Sequence, residues 1–216
     1  MKKFLITICL TLGLFASAYA STVHNLIPQP KQIKELSKKI VKLKSVDVKI
    51  IPSEGAPAEQ YTLNTKRGKA VIVAQSKQAE CWAMATLQQL KDKNGYVPEV
   101  EIVDYPAFPI RGFMHDTGRN FRDIELLKRD IDLMSAYKLN VFHWHLTDNP
   151  AWRIECHAYP QLNDAKYHVK GRDEGKFYTY DQIRELIAYA KQRGVMIIPE
   201  IDMPGHSQYF NRTFGC

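Results

Sequence analysis

The stretch Leu139-Asn140-Val141-Phe142-His143-Trp144-His145-Leu146-Thr147-Asp148-Asn149 decides the reading of this chain. An apolar run of strand length passes at its C-terminal end straight into groups that can accept, donate and titrate. Two further stretches repeat the pattern. Ile110 to Asp116 is a short strand running into Thr117-Gly118-Arg119, and Val195 to Ile201 is a strand that carries Glu200 and runs into Asp202-Met203-Pro204-Gly205-His206. Between them lie two helical patterns. From Asp123 onward, Ile124, Leu127, Ile131, Leu133, Met134 and Tyr137 form an expected core-facing stripe. A second helix, capped by Thr179 or Asp181 and ended by Gly194, carries Ile183, Leu186, Ile187 and Ala190. Strands alternating with helices of this length predict a parallel sheet with right-handed crossovers.

Such a sheet is either open and doubly wound or closed into a barrel. Polar groups at the C-terminal ends of all three strands favour the barrel, whose sites are built there. No Gly-rich phosphate fingerprint follows any strand, which argues against nucleotide binding. A complete eight-fold barrel takes roughly 250 residues. The expectation is therefore the first three βα units of a (β/α)8 (TIM) barrel, cut after its third strand.

Upstream, Tyr105-Pro106-Ala107-Phe108-Pro109 reads as a joint, because two prolines in quick succession interrupt regular pairing. Before it, Val46 to Ile51, Tyr61 to Asn64 and Ala70 to Val73 read as strands. Ser76 precedes a helix with Ala79, Trp82, Ala83, Thr86, Leu87 and Leu90 on one side, closed by Gly95 and Pro98. The first twenty residues read as an export signal: Lys2 and Lys3, an apolar run from Phe4 to Phe15, and Ala18-Tyr19-Ala20 as the cleavage pattern. The predicted organisation is thus a signal peptide over 1–20, a small α/β domain over 21–107 and a partial barrel over 108–216, with a periplasmic or secreted destination.

The net charge is +7, two units of which sit in the signal. Lys31, Lys34, Lys38, Lys39, Lys42 and Lys44 are opposed locally only by Glu35, and no aromatics interleave with them. A solvated helix or strand face explains them better than a nucleic-acid surface. Outside the signal no segment is apolar and long enough to span a membrane. Cys81, Cys156 and Cys216 remain after cleavage, an odd number without the spacing of a disulfide framework or a zinc site.

Arg119 offers a fixed fork of donors for sugar hydroxyls or an anion, or else an ion pair with Asp116 or Asp123. His143 and His145 are two apart on a strand and share a face, with Trp144 opposite. A metal-dependent hydrolase using His143, His145, Asp148 and His206 is one reading of them, and a packed, hydrogen-bonded pair is another. Asp148 and His206 lie at the ends of strands that are neighbours if sheet order follows the chain. A carboxylate there would fix the imidazole tautomer and raise its basicity. Asp173-Glu174, the sole adjacent Asp-Glu pair, sits in a polar, Gly-flanked connection and reads as a solvated loop rather than a catalytic dyad.

Four ordered stretches, Arg111 to Asn120, His143 to Asp148, Trp152 to Glu155 and Pro199 to Ser207, resemble family 20 glycoside hydrolases, the β-N-acetylhexosaminidases. Ile27 to Pro30 and the helix from Trp82 to Leu90 resemble that family's small preceding domain. The resemblance implies removal of terminal N-acetylglucosamine or N-acetylgalactosamine from glycans with retention of configuration, the 2-acetamido group of the substrate acting as nucleophile. It implies no metal or organic cofactor, while the charge and hydropathy readings above predict no nucleic-acid partner and no membrane span. It assigns Arg119 to the 3- and 4-hydroxyls of the terminal sugar, Asp148 and His206 to a relay toward the acid/base Glu, and Asp202 to bracing the site. In the family that Glu follows the fourth strand in a Gly-Gly-Asp-Glu context, so these 216 residues alone are expected to be inactive and incompletely folded. Gly118 and Asn120 stand where the family usually has Ser and His, and Asn149-Pro150 where it commonly has Asp-Gln. The competing readings are the metal-dependent hydrolase and a non-catalytic glycan-binding module using Arg119 and aromatic residues.

Overall fold

The computed structural model describes residues 23–215. The export signal and Cys216 lie outside the described residues. The chain divides into two compact units between Pro109 and Ile110, the turn 136–138 being grouped with the first.

The first unit is a five-stranded sheet with a helix on one face. Its strands are β1 (Gln32–Lys42), β2 (Ser45–Ile50), β3 (Tyr61–Lys66), β4 (Lys69–Ala74) and β5 (Tyr96–Asp104), in the order β1-β5-β3-β4-β2. All neighbours are antiparallel except β2 and β4. Helix α1 (Lys77–Leu90) starts at Ser76, whose side chain accepts a hydrogen bond from the Ala79 N–H. It buries Ala79, Trp82, Ala83, Thr86, Leu87 and Leu90, the six positions its periodicity names. They pack on Leu63, Ala70, Ile72, Val100 and Ile102.

One strand escapes the sequence reading, and another settles a choice it left open between a solvated helix and a solvated strand face. The lysine-rich run is β1, an edge strand, where charged side chains keep the open edge from pairing with other chains. Pro98, expected to close the helical region, lies inside β5. It faces the irregularity between Glu35 and Ile40 of β1, where ladder pairing is already interrupted and a missing N–H is tolerated.

The second unit is built from β6 (Gly112–Asp116), α2 (Ile124–Ala136), β7 (Val141–His145), α3 (Tyr180–Lys191) and β10 (Met196–Glu200), with a last helix, α4 (Gln208–Phe214). The three long strands are parallel and lie in the order β10-β7-β6, so neighbours in space are neighbours along the chain. A two-residue ribbon, β8 (Thr147–Asp148) with β9 (Ala151–Trp152), folds over directly after β7. Helix α3 begins in a capping box, Thr179 and Gln182 each bonding the other's backbone.

The helix-facing side of this sheet is the core: Phe142 and Trp144 pack with Leu127, Ile131, Met134, Tyr178, Leu186 and Ala190. Leu133, Tyr137 and Ile187 were expected in it and are instead exposed by 53, 49 and 48%. Leu133 sits nine residues from Ile124, half a turn around the helix from the buried stripe. The other side of the sheet carries the rows Met114–His143–Ile198 and Asp116–His145–Glu200. Below the second row it bounds an open, apolar hollow of about 400 Å³, lined by Gly112, Phe113, Met114, Val141, His143 and Ile198 among others.

Candidate active site

Because β6, β7 and β10 run in parallel and in register, their C-terminal ends deliver three chain segments to one place. The turn after β6 brings Arg119, the ribbon after β7 brings Asp148, and the loop after β10 brings His206. Asp148 is 1% exposed, and one of its carboxylate oxygens is the hub. It lies 2.8 Å from Arg119 Nε and 3.0 Å from His206 Nδ1. Arg119 Nη2 is 3.2 Å from that same ring nitrogen. The Arg119 guanidinium also contacts Asp116, while the Arg119 N–H donates to the other oxygen of the Asp116 carboxylate. Asp123 takes no part in that pair.

Backbone geometry serves the cluster. His206 has a left-handed backbone, φ 52°, which costs a residue with a Cβ on the order of 1 kcal/mol or more and concentrates at sites where the surroundings enforce it. The Asn149 N–H donates to the second Asp148 oxygen. Gly118 is required by close approach: a Cβ there would meet Asp148 N at 2.7 Å and the Thr147 carbonyl carbon at 2.8 Å. We expect Gly118→Ala to destabilise the second unit by about 1–3 kcal/mol, in the range of other over-packing changes. Thermal melting would measure the loss, and a shift of the Asp148 amide resonance would locate it.

Burial alone would push the Asp148 carboxyl up. The hydrogen bonds from His206 and Asn149 and the charges of Arg119 and His206 outweigh it and hold the group below the ordinary carboxylate range. The hydrogen bond to Asp148, with that carboxylate's charge, raises His206 above the ordinary histidine value. The hub therefore stays ionised and holds the imidazole by Nδ1.

Beneath the hub, His145 is nearly buried. Its Nε2 lies 2.5 Å from the Thr147 carbonyl, and its Nδ1 lies 3.3 Å from Glu200 Oε2. The Asp202 N–H donates to the Thr147 hydroxyl, placing the Asp202 carboxylate 3.9 Å from His145 Nε2. His143 stands apart. It shares the face of His145, as its spacing requires, but its Nε2 lies against Glu200 at 2.7 Å. The set His143, His145, Asp148 and His206 is thus not assembled as one ligand group. The clusters with metal-ligand spacing among the described residues are His145, Asp202 and His206, and Asp116, His145 and Asp148.

Sequence reasoning placed Thr147 and Glu200 among the strand-end polar groups and Arg153 in a stretch of the family resemblance, but gave none of the three a role. Arg153 is fully buried and its guanidinium donates to the carbonyls of Arg172, Asp173 and Lys176 at 2.6 to 2.9 Å, pinning the connection between β9 and α3. Arg172 in that connection bonds Asn120, beside Arg119. Asp173 pairs with Lys176 and Glu174 accepts from the Gly171 N–H, both within the loop itself.

Anion, imidazole and guanidinium are thus gathered at the ends of successive parallel strands of an α/β fold. Residues 108–214 match the glycosyl hydrolase family 20 catalytic domain, and residues 39–105 match glycosyl hydrolase family 20 domain 2. The chain belongs to glycoside hydrolase family 20. It is 42% identical over 163 residues to a β-hexosaminidase of Vibrio furnissii, covering 68% of this chain and 27% of that protein. It is 33% identical over 210 residues to a β-hexosaminidase of Akkermansia muciniphila, covering 91% of this chain and 41% of that one. The exo-β-N-acetylglucosaminidase of Vibrio harveyi, solved in complex with N-acetylglucosamine, superposes with a TM-score of 0.79 at 29% identity, over 89% of this chain and 38% of that chain. The β-N-acetylhexosaminidase of Bacteroides fragilis gives 0.79 at 26% identity, over 88% and 47%. The chain spans 27, 21 and 25% of the length of three curated relatives it matches, between a fifth and a third of each.

Proposed function

We propose that this chain supplies the small leading domain and the first three βα units of the (β/α)8 barrel in a retaining exo-β-N-acetylhexosaminidase acting on glycans that end in N-acetylglucosamine or N-acetylgalactosamine. The observation that carries the reading is the meeting of Arg119, Asp148 and His206 at the ends of three consecutive parallel strands. Strand ends of such barrels are where sugar-binding and proton-transfer groups converge. The open apolar hollow on the inner face of the sheet has the place that further strands of a barrel would enclose.

In this reading Arg119 donates to the 3- and 4-hydroxyls of the terminal sugar. Asp148 holds His206 by Nδ1, so that Nε2 is left to address the acid/base carboxyl, and Asp202 braces the loop that carries the imidazole. The acid/base carboxyl is supplied by a Gly-Gly-Asp-Glu segment that these 216 residues do not contain, and they are inactive alone. The 2-acetamido oxygen of the substrate attacks the anomeric carbon as the leaving oxygen takes the proton, and water later opens the cyclic intermediate from the face the leaving group vacated, so that configuration is retained. Residues 1–20 act as the export signal and direct the enzyme to the periplasm or beyond.

The test is chromophore release by the full-length polypeptide from matched aryl N-acetyl-β-glucosaminide and β-glucoside. Substrate-assisted chemistry requires turnover of the first and none of the second. Equal turnover of both would overturn the reading.

A further inference from the structure

His145, Asp202 and His206 each present one ligand atom, and these atoms all lie within 4.8 Å of one another. A tetrahedral zinc ion with bonds of about 2.0–2.2 Å needs ligand atoms roughly 3.3–3.6 Å apart. The His145 Nε2–Asp202 pair stands at 3.9 Å, a few tenths of an ångström wider than zinc needs, an adjustment within reach of side-chain rotation. The His206 and Asp202 side chains are 42 and 32% exposed and free to move by that amount, while His145, at 7%, is the fixed member.

His206 already has a carboxylate hydrogen-bonded at its Nδ1, Asp148 at 3.0 Å, the support that commonly orients histidine ligands and raises their basicity. Glu200 Oε2, a buried carboxylate oxygen with no hydrogen-bond partner among the described residues, lies 3.3 Å from His145 Nδ1 beside the cluster. His145 turns its Nε2 toward Asp202 and must give up its contact with the Thr147 carbonyl to bind an ion. Asp148, Glu200 and Asp202 lie 3.0 to 3.9 Å from one or other of these imidazoles, and among the described residues Arg119 is the cation paired with Asp116 and Asp148. Two imidazoles and a carboxylate suit zinc, nickel or copper and not the hard, oxygen-seeking magnesium ion.

We propose that this site binds one divalent transition-metal ion of the zinc type through His145, Asp202 and His206, and that the ion excludes the terminal sugar. The first half stands on the cluster alone. The second rests on the hydrolase reading, because the ion occupies the imidazole which that reading assigns to proton transfer.

Calorimetric titration of the full-length polypeptide with zinc chloride, and separately with magnesium chloride, decides the first half. One zinc per chain with micromolar affinity is expected, and no magnesium at the same concentrations. His145→Gln and His206→Gln should each weaken zinc at least tenfold, and Asp148→Asn by about 10- to 100-fold through lost support of His206. His143→Gln should bind as the parent does. Melting curves in chelator establish that each variant is folded, and added zinc should raise the melting temperature of the parent and the His143 variant only. No zinc uptake, or uptake lost in His143→Gln and kept in His206→Gln, overturns the site. For the second half, zinc should raise KM for an N-acetylglucosaminide and leave kcat unchanged. Stoichiometric zinc that lowers kcat alone, or that stimulates turnover, overturns the competition. Absence of any hydrolysis would refute the hydrolase reading, while the titration would still judge the metal site.

Discussion

Arg119→Ala in the full-length polypeptide should lower kcat/KM for an aryl N-acetylglucosaminide by about 10²- to 10⁴-fold. A hydrogen bond from a charged donor contributes about 1.5–3 kcal/mol, and the proposal gives Arg119 two of them to the sugar. Each factor of ten corresponds to about 1.4 kcal/mol. The substitution has a second cost, because Asp148 is buried and loses the guanidinium 2.8 Å away. Arg119→Lys separates the two contributions. It restores a positive charge to Asp148 but not the planar fork that reaches two hydroxyls, so recovery by no more than about tenfold is expected. Steady-state kinetics on the purified variants, with melting curves to confirm folding, make the measurement. Activity equal to the parent in Arg119→Ala would remove this residue from the substrate site.

Asp148→Asn should lower kcat by about 10²- to 10³-fold, within the range that proton-transfer groups contribute. Its distinguishing signature is in pH. His206 is raised above its ordinary value of 6.5, first by the hydrogen bond to Asp148 and then by its charge. The protonated imidazole is thus favoured by folding, and the stability it contributes is complete below about pH 6.5 and lost as pH rises through its folded value. Asp148 is lowered, so its own contribution is present above its ordinary 3.8 and lost as pH falls toward and below it. The pair is most stabilising in the weakly acidic window between. In Asp148→Asn the His206 midpoint, followed by nuclear magnetic resonance, should drop toward or below 6.5, and the gain in stability as pH falls through the folded value should vanish. A variant that is merely misfolded would not move one histidine in one direction. An unchanged midpoint would separate the two residues.

Much of the frame was legible because periodicity and strand-end chemistry speak plainly. The buried side of α1 follows from three- and four-residue spacing, and the pairing of β6, β7 and β10 follows from alternation with helices. The placing of Arg119, Asp148 and His206 together needed only the parallel order. What stayed hidden has a physical reason in each case. Strand β1 is an edge rich in lysine, so it lacks apolar alternation. Strand β5 contains Pro98, which reads as a breaker unless the facing bulge is known. Leu133 and Ile187 are apolar residues near the edge of a stripe or beyond it, and only packing decides their exposure. Thr147 serves the site through its carbonyl and hydroxyl, and Glu200 through its position between two imidazoles. No spacing rule announces such contacts.

The buried guanidinium of Arg153 sets the character of the cleft's border. Three main-chain oxygens of the 172–176 connection end on one cation sealed in the second unit, so that border cannot swing outward without stranding a charge or dragging β9 with it. Together with the Arg172–Asn120 bond, this makes the rim beside Arg119 a fixed wall. A ligand entering there must match a shape that is already set, so selectivity falls to fit rather than to closure.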